Sequence, residues 1–464
     1  MSMSYESFIN EEEIDKAINQ IPEKNKIRDI ISKCKSAEHK GLTLNEVGSL
    51  LNLKDYELWE EIFETARQIK QYIYGNRMVL FAPLYVSNTC ANNCLYCGFR
   101  KDNKELVRRH LTKAQLQEET AILQRQGHKR LLLVYGETSY KPEQLVEDVE
   151  ACYAVKTPPS GEIRRINMNI APMSVADFKI LSTAHIGTFQ CFQETYHRPT
   201  YEKVHISGKK ADYLWRLYAH HRSYEGGIED YGMGVLYGLY DYKYDTIALI
   251  KHAQVMEATY GVGPHTISFP RLEPAHGSDM SFNPPYKVSD EDLKKIVAVT
   301  RLALPYVGMI ISTREKASLR MELLKLGISQ LSAGSKVSPG GYHDSMTDDF
   351  DRAQFDVADE RSLDEVIYDL VTNLGYIPSF CTGCYRKKRV GEHFMGLAKK
   401  AFIKDFCFPN AVFTFSEYLR DYASHKTKTA GLDLVRKMVE HSKQKEKIEQ
   451  QLTKVATGAN DIYF

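Results

Sequence analysis

Between about residue 79 and residue 334 the chain alternates eight short β-rich runs with longer amphipathic stretches, and few folds accept that order. The runs are "MVLFAPLYV", "RLLLVYG", "RINMNI", "GTFQCFQ", "GMGVLYG", "HTISFP", "VGMIIS" and "ISQLSAG". Between them, "KAQLQEETAILQRQ", "KPEQLVEDVEACYAV", "DTIALIKHAQVMEATY" and "EKASLRMELLKL" space their apolar residues as helices do. Eight strands alternating with helices over roughly 270 residues match a (β/α)8 TIM barrel in size and order. A doubly wound open sheet is the competing architecture. It would need a glycine-rich phosphate turn after the first strand, and the sequence has none there.

The flanks read as helical. Residues 1–78 carry "EEEIDKAINQ", "KNKIRDIISKCKSA" and "YELWEEIFETARQIKQYIYG", and Thr43 before Glu46 has the spacing of a capping box. Beyond about 340 the chain turns polar and acidic ("HDSMTDDFDRAQFDVADERS"), as a surface linker or lid would. The helix "LDEVIYDLVTNLG" follows, and "TAGLDLVRKMVEHSKQKEKIEQQLTKV" is expected to be one charged terminal helix. The division expected is an N-terminal helical segment (1-78), a barrel (79-340) and a C-terminal helical domain (341-464). The 61 basic and 60 acidic residues nearly cancel, which gives no electrostatic reason to expect nucleic acid or an anionic membrane as partner. With no apolar run of membrane-spanning length and a polar start, "MSMSYESFINEEEIDKAI", the cytoplasm is the expected location.

Nine cysteines are an odd count for a disulfide framework, and their placement is uneven. Cys34, Cys152 and Cys191 stand alone and are expected to be buried small hydrophobes. Cys90, Cys94 and Cys97 follow the first strand directly at CxxxCxxC spacing, on what would be the catalytic face of a barrel. Three thiolates on one short loop can hold an iron–sulfur cube by three corners and leave the fourth iron open. That iron can take the amino and carboxylate groups of S-adenosylmethionine. A zinc knuckle would want a paired CxxC or a nearby histidine, which this loop lacks. Cys381, Cys384 and Cys407 form a second set, Cys-x2-Cys followed by 22 residues and then the third cysteine. Three core cysteines or a zinc site are the plainer readings of this set. A second incompletely ligated cluster fits a chain that already carries one.

CxxxCxxC after strand one of a β/α barrel resembles the radical S-adenosylmethionine (SAM) family. The resemblance implies that Tyr96 packs against adenine, and that Gly136 and Glu137 of "VYGET" meet the methionyl amino group. It also implies that Glu194 of "FQETYH" and Arg216 of "ADYLWRL" bind ribose and the methionyl carboxylate. An ordinary surface ion pair is the alternative for each.

"CTGCYR", "FCFPNA", "FQETYHRPTYEKVH", "GVLYGLYDYKY" and "GVGPHTISFPRLEPA" are similar to the tyrosine lyases of that family that mature [FeFe]-hydrogenase. A sister branch, which serves thiazole biosynthesis, lacks the C-terminal cysteines. The resemblance implies cleavage of the L-tyrosine Cα–Cβ bond to p-cresol and dehydroglycine at a [4Fe-4S] cluster with SAM. Dehydroglycine would then become carbon monoxide and cyanide at a second C-terminal Fe–S cluster. There an additional iron, bound through free cysteine, would take His265 of "GPHTIS" as ligand and leave as an Fe(CO)(CN) synthon. An electron donor such as ferredoxin or flavodoxin and the other hydrogenase maturases are the implied partners. By analogy with a related tryptophan lyase, Arg314 of "IISTRE" would bind the tyrosine carboxylate, with Ser335 of "LSAGS" in support. A thiazole-biosynthesis-type tyrosine lyase that releases dehydroglycine, a radical enzyme whose second cluster holds a sulfur or relays electrons, and an iron–sulfur scaffold without chemistry on tyrosine are the competing functions.

Overall fold

One long strand, β1 (Arg77–Ser87), organises the molecule; all but two of its residues are buried, as in parallel sheets covered on both faces. The computed structural model describes residues 6–36, 39–344 and 353–464. The other barrel strands are β2 (Arg130–Tyr135), β3 (Arg165–Asn169), β4 (Phe189–Gln190), β5 (Tyr231–Gly234), β6 (Thr266–Ser268), β7 (Gly308–Ile311) and β8 (Gln330–Ser332). Each pairs in parallel with the next, and β8 closes on β1 through Val79–Phe81. The (β/α)8 barrel expected from the alternation is therefore present. A ninth strand, β9 (Ile377–Ser379), lies beside the first residues of β1, with Arg77 opposite Ile377, and ties the C-terminal segment to the barrel.

Local signals start the helices that cover the barrel. Thr112 and Gln115 form a capping box for the helix Lys113–Arg125, and Ser289 with Asp292 does the same for Asp290–Ala303. The Thr43–Glu46 box is also formed. Four N-terminal helices, the longest Tyr56–Tyr74, lie against the outside of the barrel, where the buried Lys70 ammonium donates to the Leu324 carbonyl at 2.9 Å.

Three expectations change. The run "GTFQCFQ" contributes only two regularly paired residues. The terminal helix is two helices, His425–Glu440 and Lys445–Ala456, because the chain turns at 441–444 and so buries Ile448 and Val455 against the helix Ile403–Asp421. A straight helix would carry those apolar residues into solvent. Of the acidic linker, 345–352 lie outside the described residues. The residues after it cover the barrel mouth: the Tyr85 hydroxyl donates to Gln354 at 2.8 Å, and Ala358 N donates to the Thr313 carbonyl. Among the described residues no helix is long and apolar enough to cross a membrane.

Candidate active site

The loop that leaves β1 carries Cys90, Cys94 and Cys97 over a cavity at the C-terminal end of the strands, lined also by Tyr96, Glu137, Glu194, Lys210, Arg216 and Arg314. Asn92 holds the loop in place. Its amide donates to Glu137 at 3.2 Å, its carbonyl oxygen accepts from Lys210 N at 3.0 Å, and its backbone N–H donates to the Cys90 sulfur at 3.4 Å. Ala91 N donates to the Glu137 carbonyl at 2.8 Å, which couples the cysteine loop to the β2 turn. That coupling needs glycine at 136, because a Cβ there would stand 2.5 Å from the Thr89 carbonyl oxygen.

Beneath the thiols two carboxylates and two cations interlock. Arg216 donates to both Glu137 oxygens at 2.9 and 3.1 Å, and Lys210 reaches Glu194 at 2.6 Å and Glu137 at 3.5 Å. Burial alone would raise the Glu137 pKa, but Arg216 and Lys210 hold it below the ordinary carboxylate range. Burial likewise works against the Lys210 charge, and Glu194 and Glu137 more than restore it. Glu194 adopts a left-handed backbone (φ 71°), uncommon for a residue with a Cβ. Its carbonyl accepts from Leu236 N at 2.9 Å, which ties the end of β4 to the end of β5. Burial raises Cys90 to about 11, with Glu137 adding to it, and raises Cys94 and Cys97 as well. Coordination to a Lewis acid such as iron would convert these thiols to thiolates. Among the described residues no three His, Cys, Asp or Glu side chains converge on a point suited to one bare ion. Thiolates holding a cluster need not converge, since each takes a different iron.

Tyr96 turns its ring to the cavity and its hydroxyl to His205 Nε2 at 2.8 Å. His205 Nδ1 lies 2.8 Å from the Tyr201 carbonyl, so Nδ1 carries the proton and Nε2 accepts from the phenol. Arg314 lies over the Phe355 ring at 3.3 Å and has no carboxylate partner among the described residues. Ser335 is not brought beside it. The Ser335 hydroxyl is buried, without a hydrogen bond among the described residues, on a neighbouring cavity bounded by Tyr418 and Tyr422. Cys34, Cys152 and Cys191 are buried, as expected of lone cysteines.

The second cysteine set lies at the other end of the barrel. Arg77 opens β1, Arg130 opens β2 and donates to the Cys381 carbonyl, and Arg165 opens β3 beneath the Tyr385 ring. Gly383 N donates to the Cys381 sulfur at 3.3 Å. The Cys384 thiol hydrogen-bonds the Cys407 sulfur and holds Cys407 below the usual thiol range against its burial, with Arg77 and Arg130 adding to the effect. His265, just before β6, joins this end: its Nε2 lies 3.1 Å from the Tyr385 hydroxyl. Burial, with three arginines nearby, lowers the pKa of its imidazole against the opposing pull of Asp230.

Asn92, Lys210 and Asp230 belong to these two sites and carry no sequence signal of their own. Lys210 stands in a "KK" doublet that reads as solvated surface.

Comparison with known proteins divides the barrel into two parts, both ending before the second cysteine set. The profile described as the Radical SAM superfamily matches residues 84–253, and that of the Biotin and Thiamin Synthesis associated domain matches 268–377. The 2-iminoacetate synthase of Escherichia coli (strain K12) is 31% identical over 323 residues, which is 69% of this chain and 82% of that protein. The crystal structure described as HydG, a maturase of the [FeFe]-hydrogenase, superposes with a TM-score of 0.92 at 46% identity over 98% of both chains. The FeFe-hydrogenase maturase HydG from Carboxydothermus hydrogenoformans superposes at 0.83 with 39% identity over 97% of this chain and 100% of that one.

Proposed function

The chain belongs to the radical SAM family that includes 2-iminoacetate synthase and the hydrogenase maturase HydG, and on that premise we propose that it is a tyrosine lyase of [FeFe]-hydrogenase maturation. One observation carries this reading: three thiols, a compensated quartet of charges and an arginine without a described carboxylate partner face a single cavity at the catalytic end of the barrel. Cys90, Cys94 and Cys97 would hold a [4Fe-4S] cluster, and Gly136 lets the β2 turn close against the loop that carries them. Bound there, cluster and SAM supply one-electron cleavage of a sulfonium to a carbon radical.

The chain's own residues do the rest. Tyr96 offers a fixed ring to adenine. Glu137 and Glu194 accept from the amino and ribose hydroxyl groups; Arg216 and Lys210 keep Glu137 ionised, and Lys210 pairs with Glu194. Arg314 gives the tyrosine carboxylate a bidentate partner. With the carboxylate so held, Cα–Cβ cleavage gives p-cresol and dehydroglycine, and residues 353–359 cover the mouth against water.

Cys381, Cys384 and Cys407 would hold the second cluster, with His265 as ligand to an additional iron bound through free cysteine. That site would supply the conversion of dehydroglycine to carbon monoxide and cyanide, and an Fe(CO)(CN) unit would pass to the other hydrogenase maturases. Ferredoxin or flavodoxin is the proposed electron donor. The location of this second set at the opposite barrel end supports passage of the fragment inside the molecule rather than through solvent.

The test is anaerobic turnover of cluster-reconstituted protein with SAM, L-tyrosine and a reductant. p-Cresol is expected, and its absence defeats the reading. Replacing Cys381 and Cys384 together with Ala is expected to retain p-cresol and abolish carbon monoxide. Undiminished carbon monoxide from that variant would exclude a second reaction site.

A further inference from the structure

His265 is held from both sides. Its Nε2 meets the Tyr385 hydroxyl at 3.1 Å, and its Nδ1 faces the Asp230 carboxylate at 3.6 Å with no other partner among the described residues. Asp230, immediately before β5, is 2% exposed. One of its oxygens accepts from Gly391 N at 3.1 Å and is the oxygen nearest His265; the other has no described hydrogen bond and lies 3.5 Å from Arg165. Arg165 in turn lies against the Tyr385 ring, and the space it occupies exists because residue 187 is glycine: a Cβ there would overlap the guanidinium.

We propose that Asp230 is a positioning residue for His265, and that Tyr385 holds the ligating nitrogen until iron takes it. The inference rests on the reading of His265 as an iron ligand given above. A carboxylate facing Nδ1 favours the tautomer with the proton on Nδ1 and the lone pair on Nε2. That lone pair accepts the Tyr385 O–H, a neutral hydrogen bond that an incoming Fe2+ displaces without moving a proton off the ring. Nδ1 has no competing acceptor among the described residues, so a small rotation of the ring brings it within hydrogen-bonding reach of Asp230. Without Asp230 the ring can place its proton on Nε2 and present no lone pair to iron. The two neighbours thus act in opposite senses: Asp230 favours iron binding and Tyr385 competes with it.

The experiment is an anaerobic titration of the cluster-loaded full chain with Fe2+ and L-cysteine, counting iron beyond the clusters by Mössbauer spectroscopy alongside acid-labile sulfide. Asp230→Asn and Asp230→Ala are expected to weaken binding of the extra iron by about tenfold to hundredfold, with sulfide unchanged. Tyr385→Phe keeps the ring under Arg165 and is expected to bind that iron at least as tightly as the unaltered chain. Wild-type iron affinity in both Asp230 variants overturns the proposal, as does equal weakening in Tyr385→Phe. Loss of cluster sulfide in Asp230→Asn overturns it too, by assigning the residue to folding. His265→Ala separates the levels: if it binds the extra iron as the unaltered chain does, the His265 reading itself is wrong.

Discussion

At the scale of single residues, close approach and unpaired charge decide most of the behaviour. A methyl group on Gly136 would press on the Thr89 carbonyl and drive the β2 turn away from the cysteine loop. Gly136→Ala is therefore expected to slow p-cresol release about a hundredfold, the usual penalty of an ångström-scale displacement of reacting groups. Iron counted per chain shows whether the cluster is lost as well. Arg314 is the complementary case, a half-buried guanidinium whose nearest cover is the Phe355 ring. Lys at this position keeps the charge and loses the planar fork. Arg314→Lys should raise KM for tyrosine about tenfold and leave kcat nearly as it was, the pattern of lost uniform binding. An unchanged KM removes Arg314 from the carboxylate site.

At the scale of elements, the N-terminal helices matter through one crossing. Helices Glu11–Ile18 and Leu44–Leu51 approach so closely that a Cβ on Gly48 would overlap the Ala17 carbonyl. Gly48→Ala is expected to cost about 2 kcal/mol of stability through overpacking, read as a lower urea midpoint. Activity per folded molecule should not change, because neither helix lines the cavity of the first cysteine set or carries a residue of the second. The helix Ile403–Asp421 acts differently, carrying Cys407 to Cys384 and burying its later turns under the terminal helices.

At the scale of the molecule, a cluster of buried histidines ties the chain's start to the barrel. Phe8 packs against His221 and His252, with ring centroids 5.5 and 4.9 Å apart, and His220 and His252 adjoin each other. Burial lowers His220 to about 3 and His221 to about 4, and drops His252 far below its usual value of 6.5. Below 6.5 the unfolded chain takes up protons that the folded chain refuses, so stability falls as pH falls from 6.5 toward those lowered values. Each buried ring contributes up to about 1.4 kcal/mol per pH unit in that window. The urea midpoint is expected to drop between about pH 7 and about pH 5, and less steeply in His252→Phe. Equal slopes would place the acid sensitivity elsewhere.

The eight-strand barrel, its covering helices and both cysteine triplets were legible in the chain itself, because period, capping and ligand spacing are local and act over a few residues. Cys90, Cys94 and Cys97 could be picked out by their spacing beyond a strand whose end a barrel must direct to one face, and Glu137 and Glu194 through the family resemblance. The residues that complete the sites could not be read that way. Lys210 looks like surface and is buried between two carboxylates; Asp230 and His265 precede different strands and meet only when the barrel closes; Ser335 follows the right strand and faces another cavity. The two cysteine sets stand at opposite ends because β9 pairs with the start of β1. Spacing along the chain determined what each segment could bind. Contacts between residues far apart in sequence, which burial enforces and no local pattern encodes, decided which side chains share a site.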